Sequence, residues 1–161
     1  MIRLAKLTDY GFLLMTTMAR KSANSVHNAR DLAEITRLPL PTATKVLKQL
    51  LQSGLLTSHR GINGGYSLAK DPSEISLEEI IAAIEGPIAL TECSTDVIGL
   101  CDLELSCPMK ANQRVVSEVV RAALQKVMLT DLMQQPLQLT AIRGVDGKLV
   151  PAAENTSGRV Q

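Results

Sequence analysis

The chain has no tryptophan, one phenylalanine and two tyrosines in 161 residues. With 45% of its residues hydrophobic it has the material for a core, and that core must be aliphatic. No apolar run reaches the roughly 20 residues that a membrane-spanning helix needs, which argues against a membrane partner. The opening MIRLAKLTDYGF lacks the apolar stretch of a secretory leader, so the expected compartment is the cytoplasm. The constellations of an enzyme are missing too: paired carboxylates in a pocket pattern, a Ser-His-Asp arrangement, a phosphate-cradling glycine loop. The run Gly61-Ile62-Asn63-Gly64-Gly65 is not followed by a helical pattern and is no nucleotide fingerprint. There is no internal repeat. Cysteine is absent everywhere except one stretch, where Cys93, Cys101 and Cys107 stand in a C-x7-C-x5-C spacing.

The formal net charge of +1 hides a division. Residues 1–70 carry ten Lys or Arg and three acids, a net +7; residues 71–161 carry seven basic and thirteen acidic residues, a net −6. A basic first half joined to an acidic second half points to a polyanion as partner of the first half alone.

Hydrophobic periodicity predicts a mainly α fold. Thr8-Asp9 is placed to cap a helix running to about Lys21, with Leu13, Leu14, Met18 and Ala19 inward. A second helix is expected over Ala29–Thr36, burying Leu32, Ala33 and Ile35. Pro41 suits the first turn of a third, where its missing N–H costs nothing. That helix runs to about Ser53, burying Val46, Leu47, Leu50 and Leu51, and Gly54 stops it. Two short extended runs around the glycine-rich turn then read as a β-hairpin. Ser76-Leu77-Glu78-Glu79 is a capping box opening a further helix that Gly86-Pro87 ends. Beyond the cysteines, Pro108 opens a helix expected to reach about Met133, with Val116, Val119, Val120, Ala123, Val127 and Leu132 along one side. About 25 residues at 1.5 Å each give roughly 35–40 Å, more than one small domain covers, so the apolar seam predicts a homodimer.

Helix, helix, turn, helix and basic hairpin is the order of a winged helix-turn-helix, whose third helix enters the major groove of double-stranded DNA. Thr42, Thr44, Lys45 and Lys48 are its candidate DNA contacts. In the wing the candidates are Arg60, Gly61, Gly64 and Gly65: an arginine on a narrow projection, and glycines where a backbone approaches closely or the turn is tight. The domains expected are a winged helix-turn-helix over 1–88, a cysteine loop over 89–108, a long C-terminal dimerisation helix over 109–135 and a flexible tail over 136–161.

Thiols stay reduced in the cytoplasm, and an odd number there argues for metal or redox chemistry rather than structural disulfides. Three cysteines in one irregular segment can converge on a common point, which suits a metal or an iron–sulfur cluster. Bound zinc and a thiol–disulfide switch are the competing readings.

Leu4-x-Lys6-x-Thr8-Asp9-Tyr10, the wing Arg60-Gly61-Ile62-Asn63-Gly64-Gly65-Tyr66-Ser67-Leu68, and three cysteines before a long helix together resemble the IscR/NsrR-type (Rrf) family over about residues 1–135. The resemblance implies a homodimeric winged-helix transcription regulator carrying an iron–sulfur cluster, of two-iron or four-iron type, on Cys93, Cys101 and Cys107. The opening looks closest to the branch that regulates the SUF cluster-assembly system, which implies a repressor of such genes; a nitric-oxide or redox sensor of the same fold is the alternative. Where the IscR-like branch offers a histidine three residues after its last cysteine, this chain has Lys110, and a protonated ammonium has no lone pair to give. The NsrR-like branch uses an acidic residue near the N-terminus, which Asp9 matches. Asp9 is thus either a fourth ligand, reaching across from the partner chain, or a helix cap.

Overall fold

The computed structural model describes residues 3–21, 25–95, 97, 99–103 and 106–133. The expected flexible tail, Asp96 and Glu104 lie outside the described residues. The first helix, α1, spans Lys6–Lys21, so it starts before the expected cap. Asp9 is not an N-cap: it sits exposed within the first turn. Glu85 stands at the opening of α1 instead: its carboxylate accepts a hydrogen bond from the amide of Ala5, just before the helix, at 2.9 Å and another from the Thr8 hydroxyl. An acidic group at a helix N-terminus also suits the helix dipole.

Helix α2 spans Ala29–Thr36, opened by Asn28, whose side chain accepts from the Asp31 amide at 2.8 Å. It ends at Arg37 in the left-handed region (φ 56°). Helix α3 spans Leu40–Gln52, with Pro41 in its first turn. Gly54, at φ +79°, takes the chain out of it at little steric cost. Strands β1 (Leu56–His59) and β2 (Gly65–Leu68) pair antiparallel, with Leu56 opposite Leu68 and His59 opposite Gly65. Helix α4 (Leu77–Glu85) opens on the expected capping box: Ser76 Oγ accepts from the Glu79 amide, and Glu79 accepts from the Ser76 amide. Its N-terminal residue follows a 3-10 turn over Pro72–Glu74.

The core is aliphatic. Leu14, Met15 and Met18 of α1 meet Leu32 of α2, Val46, Leu47 and Leu50 of α3, and Ile75 and Ile80. Two expected core residues lie outside it: Leu13 is 40% and Ile35 47% exposed, because α1 and α2 each present one face inward and these side chains fall beyond its edge. Leu51 is only partly buried against the core.

The helix after the cysteines, α5, spans Lys110–Gln125, about 24 Å at 1.5 Å per residue. It stops short of the expected Met133. The chain turns back and joins the first domain: Val127 accepts from the Leu77 amide at 2.7 Å, and the Leu129 amide donates to Ile75 at 2.8 Å. A short helix α6 (Leu129–Leu132) follows, with Leu129 fully buried and Leu132 against the same core. Val127 and Leu132 therefore do not prolong the α5 seam. Val115, Val116 and Val119 are left exposed on α5, and its one buried residue is Ser117. Arg121 binds Glu78 of α4 at 3.1 Å, which holds α5 against the first domain.

A polar stretch before α2 holds an unforeseen pairing. The His27 amide donates to Tyr66 and the Tyr66 amide donates to His27, both at 2.8 Å, so a one-residue bridge extends the hairpin. The His27 imidazole is buried, with Nε2 2.6 Å from Ser25 Oγ. Burial lowers its pKa below the ordinary 6.5, Lys21 adds to the shift and Asp31 opposes it. The folded state thus holds a neutral imidazole that the unfolded chain protonates first. The contribution is present above the unfolded value and is lost as pH falls through and below it. The melting temperature should drop between about pH 7.5 and about pH 5.5, and His27→Gln should flatten that slope in a thermal-melt series.

Candidate nucleic-acid interface and cysteine segment

The outward face of α3 follows helical spacing. Pro41, Thr44, Lys45, Lys48 and Gln49 stand at i, i+3, i+4, i+7 and i+8, and with Leu40 they line a shallow depression of about 460 Å³. Lys45 and Lys48 are exposed and Thr44 is half-buried. Thr42 is also half-buried, at the edge of this face beside Gln49 (i+7) and one turn before the buried Val46. Gln49 escaped the sequence reading: its side-chain oxygen is buried beside the two lysines without a hydrogen-bond partner among the described residues. Its i+4 spacing from Lys45 was the available signal.

The wing carries Arg60 exposed at the end of β1. Gly61 has φ +114°, and the Gly64 amide closes the turn onto its carbonyl at 2.9 Å. Ile62 stands wholly in solvent at the tip. The close approaches that Gly64 and Gly65 permit in this structure are to the protein's own backbone. A Cβ on Gly64 would overlap the His59 carbonyl oxygen, and one on Gly65 the His27 carbonyl. His59 does not stand free toward a ligand, since its Nε2 lies 2.8 Å from Ser67 Oγ.

Cys93 lies on a 3-10 turn over Glu92–Ser94 and is 8% exposed; Cys101 and Cys107 are partly buried, and all three are free thiols. Among the described residues no three His, Cys, Asp or Glu side chains gather into a group able to hold a metal ion. The structure thus places the cysteines on one segment without drawing them together, and leaves Asp9 apart on α1. In donor chemistry the residues fit an iron–sulfur cluster: three free, soft thiols with no competing disulfide. Lys110 is the first residue of α5, its amide donating to Cys107 at 3.3 Å. Glu92 and Asp102 are exposed acids on the same segment. Among the described residues, no helix is long and apolar enough to cross a membrane.

Comparison with known proteins bears on the family and the fold. Residues 4–135 match the family model Rrf2, described as an iron-dependent transcriptional regulator. The HTH-type transcriptional regulator NsrR of Shouchella clausii is 32% identical over 124 residues, covering 77% of this chain and 81% of that one. Among solved structures, CymR of B. subtilis, a global cysteine regulator, superposes with a TM-score of 0.63 at 26% identity, covering 83% of this chain and 97% of that one. T. potens IscR shares the fold, with a TM-score of 0.61 at 23% identity over 83% of this chain and 88% of that one. These relatives are regulators of transcription, not enzymes.

Proposed function

The chain belongs to the Rrf2 family of DNA-binding transcriptional regulators, and we propose that its grip on an operator is governed by an iron–sulfur cluster held by Cys93, Cys101 and Cys107. The observation that carries this reading is the position of the three free thiols, on the one segment joining the winged helix to α5. When bound, an iron–sulfur cluster supplies a redox-active, ligand-sensitive centre whose gain or loss alters the order and charge of that segment.

The protein's own parts account for the rest. Lys45 and Lys48 on α3 meet the major groove and Arg60 on the wing the adjacent backbone or minor groove. Two copies associate through the exposed valines of α5, setting the two α3 helices about one DNA turn, roughly 34 Å, apart. Any change in the angle between α5 and the winged helix then changes affinity. Asp9, released from capping and exposed, is the candidate fourth ligand, donated by the partner chain. Repression of iron–sulfur assembly (SUF) genes in the cytoplasm is the physiological role that fits this chemistry.

A second reading, thiol oxidation without a cluster, is favoured by one observation: the three cysteines are not gathered into one group among the described residues.

The DNA contacts are tested on a duplex selected from a random-sequence pool by the protein prepared without oxygen. Lys45→Ala and Arg60→Ala should each weaken binding by about 1–3 kcal/mol in fluorescence anisotropy, and each should lower the slope of log affinity against log salt. Affinities equal to the parent protein's for both variants would remove α3 and the wing from the interface.

A further inference from the structure

The only buried residue of α5 is a serine, and its contacts lead to a sulfur. Ser117 is 4% exposed. Its hydroxyl accepts from the Leu90 amide at 3.1 Å and donates to Ser94 Oγ at 3.0 Å. Ser94 Oγ donates to the Thr91 carbonyl at 2.7 Å. Three donors lie within reach of its two lone pairs: the Thr91 amide at 3.1 Å, the Thr91 hydroxyl at 3.1 Å and the Ser117 hydroxyl at 3.0 Å. One of them is surplus, since a hydroxyl accepts at most two hydrogen bonds. The Thr91 hydroxyl is the one with a second acceptor shown, Cys93 Sγ at 3.4 Å. With Ser117 and the Thr91 amide filling Ser94, the Thr91 proton turns to the sulfur. In the free thiol either atom of this pair can donate, whereas a deprotonated, ligating sulfur would only accept and leave the Thr91 hydroxyl as the donor.

We propose that Ser117 is a positioning residue for Cys93: it ties the thiol-bearing turn to α5 and, by filling Ser94, directs the Thr91 hydroxyl at the sulfur. Docking of α5 and the surroundings of Cys93 thereby become one event. The ion pair between Arg121 and Glu78 carries α5 onward to α4 and the winged helix. The direction of the bond from Thr91 to the sulfur and the regulatory consequence rest on the cluster reading above; the tie of the Cys93 turn to α5 does not.

Two measurements test it. In the reduced, metal-free protein, alkylation by iodoacetamide is followed at each cysteine by mass spectrometry. Ser117→Ala should speed reaction at Cys93 by about fivefold relative to Cys101 and Cys107, the effect of losing one hydrogen bond that keeps the turn closed. Ser117→Thr, which keeps the hydroxyl, should stay near the parent rate. No change at Cys93, or an equal rise at all three thiols, would overturn the proposal. In the iron-loaded protein, Thr91→Val and Ser117→Ala should each move the reduction potential to more negative values, since a hydrogen bond to a ligating sulfur favours the reduced form. Combined, they should move it no further than one alone; unchanged potentials, or additive shifts, would refute the proton ordering. A parent protein that takes up no iron would defeat the cluster reading, while the alkylation ratio still decides the placement of Cys93.

Discussion

Leu129→Ala should destabilise the protein by about 2–5 kcal/mol, read as a lower urea midpoint with an unchanged slope. Leu129 is wholly buried among side chains of the winged helix, although it follows α5 and is far from them in sequence. Its backbone is tied in as well, through the Leu129 amide to Ile75 and the Leu77 amide to Val127. Truncation leaves a cavity between elements that cannot close on it, because both flanks are pinned by these hydrogen bonds. The outcome separates two architectures. Were the helix after the cysteines to run on unbroken to Met133, residue 129 would lie away from the first domain, and its truncation would fall within about 0.5 kcal/mol of neutral, as surface substitutions do.

Gly65→Ala should be nearly as damaging, at about 2–4 kcal/mol. The added Cβ would overlap the His27 carbonyl oxygen and come within 2.7 Å of its carbon, so backbone, not a pliable side chain, is in the way. Relief requires moving the His27 segment off the hairpin, which breaks the reciprocal 2.8 Å pair between His27 and Tyr66. Gly54→Ala is the control. Nothing lies within 4 Å of its Cβ position, so only the left-handed backbone (φ +79°) opposes the change, at about 1 kcal/mol. Thermal melts of the two variants give the comparison. If Gly65 served only to admit the DNA backbone, Gly65→Ala would melt with the parent protein and lose affinity alone.

These two sites also mark where local sequence stops being informative. Helices α2, α3 and α4 and the hairpin were legible because each carries its own start and stop chemistry: Pro41 and Gly54 around α3, the Ser76–Glu79 box before α4, glycines between the strands. What was not legible depends on partners distant in sequence. Glu85, from the end of α4, supplies the opening of α1, so Thr8-Asp9 looked like a cap while the helix began earlier. The apolar pattern through Val127 and Leu132 continues the period of α5, and only the pairing of Ser76 with Met128 reveals that the chain has turned. Gly65 reads as a ligand-facing glycine until His27 is found against it.

The candidate site divides the same way. Lys45, Lys48 and Arg60 are exposed as their spacing implied, because one face of α3 and the end of β1 follow from helical and strand periodicity. Thr42 stands at the edge of that face, and Gln49 joins it. The cysteines were legible as a set, while their three-dimensional relation was not, since an irregular segment has no period to extrapolate. The polar contact of Ser117 with the Cys93 turn had no sequence signal at all: a serine on an amphipathic helix ordinarily faces water.

The central claim, that Cys93, Cys101 and Cys107 hold an iron–sulfur cluster, is tested most directly by a visible absorption spectrum with iron and sulfide counts on protein prepared without oxygen. The account expects a brown or red protein with iron and acid-labile sulfide in equal amounts, and a Cys101→Ser variant that loses both. Colourless protein with one zinc per chain, or with neither metal nor sulfide, would contradict it.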